Sequence, residues 1–272
     1  MALINRKGNN AAFDGGKDQY FTPPDTAKWT TEQTLEHIGW VPELVVEPSA
    51  GTGAFLPFMR QMGVPMKAFD IDPRAEGIQQ ADFLLLHPDE FRGSLVLGNP
   101  PYGHFGNDAL RFINHAAKSA QWISFILPAI FDRISMKRRI SLYFDLTLSV
   151  KVPCDTYYGP NGEKYNHSRI LQVWSRTQKP RILADLPDGR PWVEHLRGPE
   201  GADAFVVRNG SRAGTVLLSG NHNIGFAWPM KMLLPESLAK LQSLEPRMQA
   251  IAKTGTSVPN MPKIEINGLL EE

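Results

Sequence analysis

Along the first half of the chain, short apolar runs alternate with stretches in which apolar side chains recur every three or four positions. Glu43–Glu47 (ELVVE) reads as a strand, as do Met66–Asp70 (MKAFD), Leu95–Gly98 (LVLG) and Trp122–Leu127 (WISFIL). Helical spacing covers Asp25–Ile38, with Asp25 as N-cap behind Pro23-Pro24 and Gly39 as the stop. It returns over Gly53–Met62, Pro73–Gln80, Asn107–Ala120 and Ile130–Ile140. Strands separated by helices at this spacing predict βαβ units and a mostly parallel α/β sheet.

After Ser141 the rhythm changes. Leu142–Pro153 partly alternates, Gly159-Pro160-Asn161-Gly162 marks a turn, and Arg169–Trp174 is apolar again, which predicts a hairpin of two late strands. From Pro180 to Gly201 the composition shifts to Pro, Gly and charge, as at the start of a second unit. Two β-like runs follow, AFVVR and GTVLL, then one amphipathic helix over Pro235–Ile251 and an irregular tail. The expected division is 1–180 for one domain and 181–272 for a smaller C-terminal region. Residues 1–17 show no period and read as a mobile lead-in.

Composition narrows the class. The chain has 272 residues, 42% hydrophobic and 21% charged, with a net charge of +1. That is ordinary globular usage and excludes a uniformly basic coat. Charge is nonetheless uneven: residues 132–181 hold ten Lys or Arg against four Asp or Glu. This segment reads either as a solvated face or as a surface facing phosphates. The single cysteine, Cys154, excludes an intrachain disulfide framework and a Cys-rich zinc site, and the histidines show no metal spacing. No apolar run reaches the roughly 20 residues of a membrane helix, and the N-terminus has no apolar core of a secretory signal. The expectation is a cytoplasmic protein with no membrane partner and no metal.

Four short segments carry chemistry. Glu47-Pro48-Ser49-Ala50-Gly51-Thr52-Gly53 follows the first strand and opens a helix. Its glycines would let the backbone approach a ligand at the carboxyl end of that strand, although a tight structural turn would use them too. Asp70 ends the next strand, with Ile71 after it, where a carboxylate can accept from two ribose hydroxyls. Asp82-Phe83 offers an acceptor for an adenine amino group and an aromatic cover for its ring. The fourth, Asn99-Pro100-Pro101-Tyr102, follows a strand directly. Its two prolines remove two backbone donors, so an Asn side-chain oxygen and the Pro100 carbonyl can both accept from one planar amino group. Tyr102 supplies a stacking face.

In that order, EPSAGTG, FDID, ADF and NPPYG resemble the S-adenosylmethionine-dependent adenine-N6 DNA methyltransferases. Upstream, DQYFTPP (Asp18–Pro24) is similar to that family's N-terminal methionine-binding motif, with Tyr20, Thr22 and Pro23 in it. The motif order resembles the gamma-ordered, Taq-type subgroup, over roughly residues 17–176. The resemblance implies a Rossmann-like class I methyltransferase fold, a mixed seven-stranded sheet with a late antiparallel hairpin, plus a small C-terminal target-recognition or nucleic-acid-contacting unit. It implies S-adenosylmethionine as cofactor, with Glu47, Pro48, Ala50, Gly51 and Gly53 at its methionine end, Asp70 and Ile71 at the ribose, and Asp82 and Phe83 at the adenine. Asn99, Pro100, Pro101 and Tyr102 would act on a flipped-out adenine, and Tyr157 or Tyr158 would cover its other face. The implied partner is DNA, duplex ahead of single strand, for a bacterial or phage-encoded enzyme, with a restriction nuclease partner left open. The C-terminal part is much shorter than a full Taq-type recognition domain, which argues against extended sequence recognition.

Other substrates pose the same problem. An RNA base or a release-factor glutamine amide also presents a conjugated amino group to NPPY, though the glutamine enzymes usually carry a helical domain ahead of the cofactor motifs. Cytosine-N4 enzymes more often have Ser where this chain has Asn99. Pro153-Cys154 is similar to the nucleophile of cytosine-C5 enzymes but lies after a late strand. A non-catalytic S-adenosylmethionine-binding protein would be expected to lose Asn99 or Tyr102.

Overall fold

The computed structural model describes residues 21–153, 156–158, 164–166, 168–183, 185–218, 226–254 and 259–272. The lead-in, Tyr20, Cys154 and the turn at 159–162 lie outside the described residues. The chain forms two units. One comprises the residues up to Pro128 together with Ile140–Arg181; the other comprises Ala129–Arg139 together with Ile182–Glu272.

The first unit is built on a seven-stranded sheet. Its strands are β1 (Val45–Glu47), β2 (Met66–Asp70), β3 (Gln79–Gln80), β4 (Leu95–Gly98), β5 (Trp122–Pro128), β6 (Phe144–Lys151) and β9 (Arg169–Arg176). Between the last two, β7 (Thr156–Tyr158) and β8 (Lys164–Asn166) pair with each other. The lateral order is β3-β2-β1-β4-β5-β9-β6. Strands β1 to β5 pair in parallel, while β9 runs antiparallel between β5 and β6. This is a Rossmann-like α/β sheet with the expected late antiparallel pair, and its topological switch point lies between β1 and β4.

Burial explains the unbroken apolar runs. Val45, Leu95 and Leu97 join a core with Ala27 and Ile38 of α1 (Pro24–Ile38) and Leu56 and Met59 of α2 (Leu56–Gln61). The intervening Val46 and Val96 are equally buried, so the strands are covered on both faces. An aromatic cluster holds the loop before β4 to α3 (Asn107–Ala116): the Phe83 ring lies 5.1 Å from Phe91 and 5.6 Å from Phe112.

Several local expectations change. Helix α1 is capped by Pro23, and Asp25 falls in its first turn. Pro73–Gln80 is not a helix: Gly77 has φ +85°, and Gln79 and Gln80 pair in parallel with Phe69 and Asp70. The Gly53–Met62 and Asn107–Ala120 helices shorten to α2 and α3. Ile130–Ile140 becomes a 3₁₀ turn at Ala129–Asp132 and one short helix, α4 (Ile134–Lys137).

The second unit has a four-stranded antiparallel sheet, order β10-β13-β11-β12, from Val193–His195, Ala227–Met232, Ala204–Val207 and Val216–Leu218. Val193, Val206 and Met230 pack with Leu241, Met248, Ile266 and Leu270 of its helices. The expected single helix divides at Glu245-Pro246 into α5 (Ser237–Ser243) and α6 (Glu245–Ala252), and the tail is not irregular but forms α7 (Lys263–Glu271). Arg133 ties Ala129–Arg139 into this unit, donating to Thr254 Oγ1 (2.9 Å), Asn260 Oδ1 (2.7 Å) and the Ile251 carbonyl (2.8 Å). Glu265 accepts from the Ile134 and Ser135 amides. Gly214, at φ +89°, lies so close to α6 that a Cβ there would stand 2.6 Å from Gln249 N. Gly214→Ala is expected to destabilise the protein by more than about 1 kcal/mol, read as a lower denaturant midpoint at unchanged slope.

The basic segment 132–181 is in part internal. Arg133 and Arg169 are buried, Arg176 donates to the Ala120 and Ala117 carbonyls, and Arg181 donates to the Ile140 carbonyl. Four of the ten basic residues are thus committed to the protein's own structure. Among the described residues no helix is long and apolar enough to cross a membrane.

Candidate active site

The carboxyl ends of β1, β2 and β4 converge on one cavity of about 280 Å³, near the lower end of small-molecule sites. Each wall follows from its local sequence. After β1, Gly51 turns with φ +50°, and its amide donates to Asp70 Oδ2 at 2.7 Å. The Ala50 amide reaches the Phe69 carbonyl and the Arg74 amide the Gly51 carbonyl, stitching this loop to the end of β2. Asp72 N donates to Asp70 Oδ1 at 2.7 Å. Each Asp70 oxygen thus accepts one backbone bond and keeps lone pairs for more. Asp82 accepts from Leu84 N at 2.9 Å as the cap of a 3₁₀ turn while also lining the cavity. Phe83 reaches the wall although its ring is almost wholly buried in the aromatic cluster.

After β4 the two prolines stiffen the turn. Asn99 Nδ2 donates to Thr22 Oγ1 at 3.1 Å, which fixes the amide; its Oδ1 is buried and accepts from none of the described residues. Ser49 Oγ donates to the Asn99 carbonyl at 3.3 Å, joining the first loop to the fourth. A buried acceptor without a donor costs about 1–3 kcal/mol, so its retention at a cavity wall calls for a ligand that donates.

Glu47 stands behind these loops. It is 1% exposed, its Oε2 has no hydrogen-bond partner among the described residues, and its pKa is pushed up to about 8, by burial first and by the Asp70 charge second. At neutral pH the carboxyl is therefore mainly protonated, and a cation brought beside it would convert it to the carboxylate.

The cavity gathers Pro48, Gly51, Asp70, Ile71, Asp82 and Phe83 with Asn99, Pro100, Pro101 and Tyr102. It does not include Thr22, Pro23, Glu47, Ala50 or Gly53. Thr22 acts through Asn99, and a Cβ on Gly53 would stand 2.7 Å from Leu56 Cδ1, so that glycine serves close packing. Tyr157 and Tyr158 lie on β7, opposite Tyr165 and Lys164. Sequence reasoning missed Phe21, whose ring carries the Arg74 guanidinium at 5.3 Å. It also missed Asp108, Arg111 and Phe112, which line the cavity from α3; their i, i+3, i+4 spacing after NPPYG was the available signal.

No family model matches the chain, and no curated protein matches it. Solved structures do. An archaeal protein from Pyrococcus horikoshii, provisionally named an RNA methyltransferase, is 16% identical over 63% of this chain and 93% of its own, with a TM-score of 0.46. A modification subunit of a provisionally named type I restriction enzyme from Vibrio vulnificus is 18% identical over 61% of this chain and 46% of its own (TM-score 0.41). The 1,6-didemethyltoxoflavin-N1-methyltransferase of Burkholderia thailandensis, solved with S-adenosylhomocysteine, is 13% identical over 56% of this chain and 79% of its own (TM-score 0.40).

Proposed function

We propose that this chain is an S-adenosylmethionine-dependent methyltransferase acting on the N6 amino group of adenine in DNA. The observation that carries the reading is the Asn99 amide: its nitrogen is held by Thr22 and its buried oxygen is left to accept, next to a Pro-Pro turn without backbone donors. The residues fit the cofactor. Asp70, at the end of β2, would accept from the ribose hydroxyls, Asp82 and Phe83 would take the adenine, and the buried Glu47 carboxyl would meet the cationic methionine end. When bound, the cofactor supplies an electrophilic methyl on a sulfonium sulfur.

The chain's own residues then position the nucleophile. A duplex hides the adenine amino group, so the base must be flipped out at a cost of a few kcal/mol. Stacking on Tyr102, with Tyr157 or Tyr158 on the opposite face, would recover about 1–3 kcal/mol per contact. Asn99 Oδ1 and the Pro100 carbonyl accept the two amino hydrogens and turn the nitrogen lone pair out of conjugation. That orientation would set the nitrogen in line with the donor's methyl group, and the alkylated nitrogen would shed its proton to water without a strong base. Catalysis is positioning plus directed acceptors.

The test is transfer from methyl-tritiated S-adenosylmethionine to duplex DNA, single-stranded DNA, total RNA and a release factor in parallel. Label recovered from DNA as N6-methyladenine supports the reading; label only in RNA or protein replaces the substrate and keeps the chemistry. Binding has its own check. Removing one charge-assisted acceptor costs about 1.5–3 kcal/mol, so Asp70→Ala should weaken S-adenosylmethionine at least roughly tenfold by calorimetry.

A further inference from the structure

The loop from Tyr102 to α3 holds an aromatic ring in a conformation that its chemistry disfavours. Phe105 is the one described non-glycine residue with positive φ (φ 53°, ψ 29°). Glycines at 103 (φ 64°) and 106 (φ 75°) carry the neighbouring left-handed turns, where a side chain would be strained. A bulky residue in this region is an outlier that persists only where the surroundings impose it. Here they do. The Tyr102 carbonyl accepts from the Asp108 amide at 3.1 Å, the Gly106 amide donates to the Gly103 carbonyl, and Asn107 Nδ2 holds the His104 carbonyl at 2.8 Å. The loop is closed at its base and carries His104 and Phe105 at its tip.

Phe105 is 39% exposed, and its ring meets the exposed His104 imidazole at a centroid distance of 4.0 Å. A strained backbone presenting a half-exposed aromatic pair three residues from Tyr102 is unfavourable as structure and useful as a contact. We propose that Phe105, backed by His104, is a wedge that enters the base stack beside the target nucleotide and occupies the gap the flipped base leaves. Apolar side chains driven between base steps lower the cost of unstacking in this way. The proposal rests on the DNA reading above and adds to it the element that opens the duplex.

Asparagine tolerates the left-handed region, so Phe105→Asn removes the ring and keeps the turn. Three substrates separate opening from chemistry: a paired duplex, the same duplex with an abasic site opposite the target adenine, and the single strand. The variant is expected to lose roughly tenfold or more in kcat/KM on the paired duplex and to regain the wild-type rate on the other two. Phe105→Leu, which keeps an apolar wedge, should retain most of the paired activity. Relief of the strained φ should raise Tm by roughly 2–4 °C in the same Asn variant. An equal loss on all three substrates, no loss on the paired duplex, or a Tm that does not rise overturns the role given to Phe105. A wild-type chain that methylates none of the three overturns the DNA reading itself, and the wedge with it.

Discussion

Replacing Asn99 with Ala is expected to lower methyl transfer by about 10²–10³ while S-adenosylmethionine still binds with near wild-type affinity. The expectation follows from which atom is lost. Asn99 Nδ2 is spent on Thr22, and Oδ1 has no partner among the described residues, so the substitution removes one acceptor assigned to the substrate and one tether to the segment before α1. The ribose and adenine contacts assigned to Asp70, Asp82 and Phe83 lie on other loops and stay in place. Single-turnover transfer and calorimetric binding on the same preparation separate the two effects. Wild-type turnover in Asn99→Ala would remove the acceptor from the mechanism. Thr22→Val gives a graded companion, because it frees the amide to rotate without deleting its oxygen, and a loss smaller than that of Ala is expected.

The ligand-free protein should become less stable as pH rises from about 4.5 toward 8, and Glu47→Gln should abolish most of that slope. Glu47 has its folded pKa raised to about 8 against 4.5 for the free side chain. Between those values the native state holds a proton that the unfolded chain releases, so stability from this group is fully present below about pH 4.5 and is lost as pH passes through the folded value. At 1.36 kcal/mol per unit, the range amounts to something on the order of 4 kcal/mol at mildly alkaline pH. His195 pulls the other way: burial, the largest cause, lowers its pKa, which favours the fold as pH rises through the acid range. Comparing wild type with Glu47→Gln by urea unfolding at pH 5 and pH 8.5 cancels that contribution. The same substitution should weaken S-adenosylmethionine binding, since a neutral amide cannot meet a cation as a carboxylate does. A variant more stable at pH 8.5 and poorer in cofactor affinity is the expected pair; equal pH slopes in the two proteins would show that Glu47 titrates normally.

The sheet was legible because its signal is local and repeated. Consecutive apolar residues at Val45-Val46 and Leu95–Leu97 are what strands buried on both faces require, and β1, β2, β4 and β5 lie where those runs stand. The loops at the strand ends were legible from chemistry: Gly51, Asp70, Asp82 and the Asn-Pro-Pro-Tyr turn do come together. Illegible were features set by partners distant in sequence. Nothing near Pro73 says that Gln79 and Gln80 will extend the sheet beside Phe69 and Asp70, against a local pattern that suggests a helix. Helix α7 was hidden by Gly268 and the prolines before it, and it exists because Ile266, Leu269 and Leu270 find the second unit's core. Arg133 reads as surface charge in the sequence, because Asn260 and Thr254, which accept its hydrogen bonds, lie more than a hundred residues away.

That last contact has a consequence for biosynthesis. Residues 129–139 leave a ribosome long before Thr254, Asn260 and Glu265, yet Arg133 and the amides of Ile134 and Ser135 have their partners there. Domains that complete early in synthesis can fold early, but the second unit is closed only when residues 254–265 have been made. Until then a buried arginine and the start of α4 must wait in solvent, in the middle of the nascent polypeptide. A stop codon after residue 181 would therefore release not a trimmed first unit but one carrying an eleven-residue insert whose internal hydrogen-bond partners were never made.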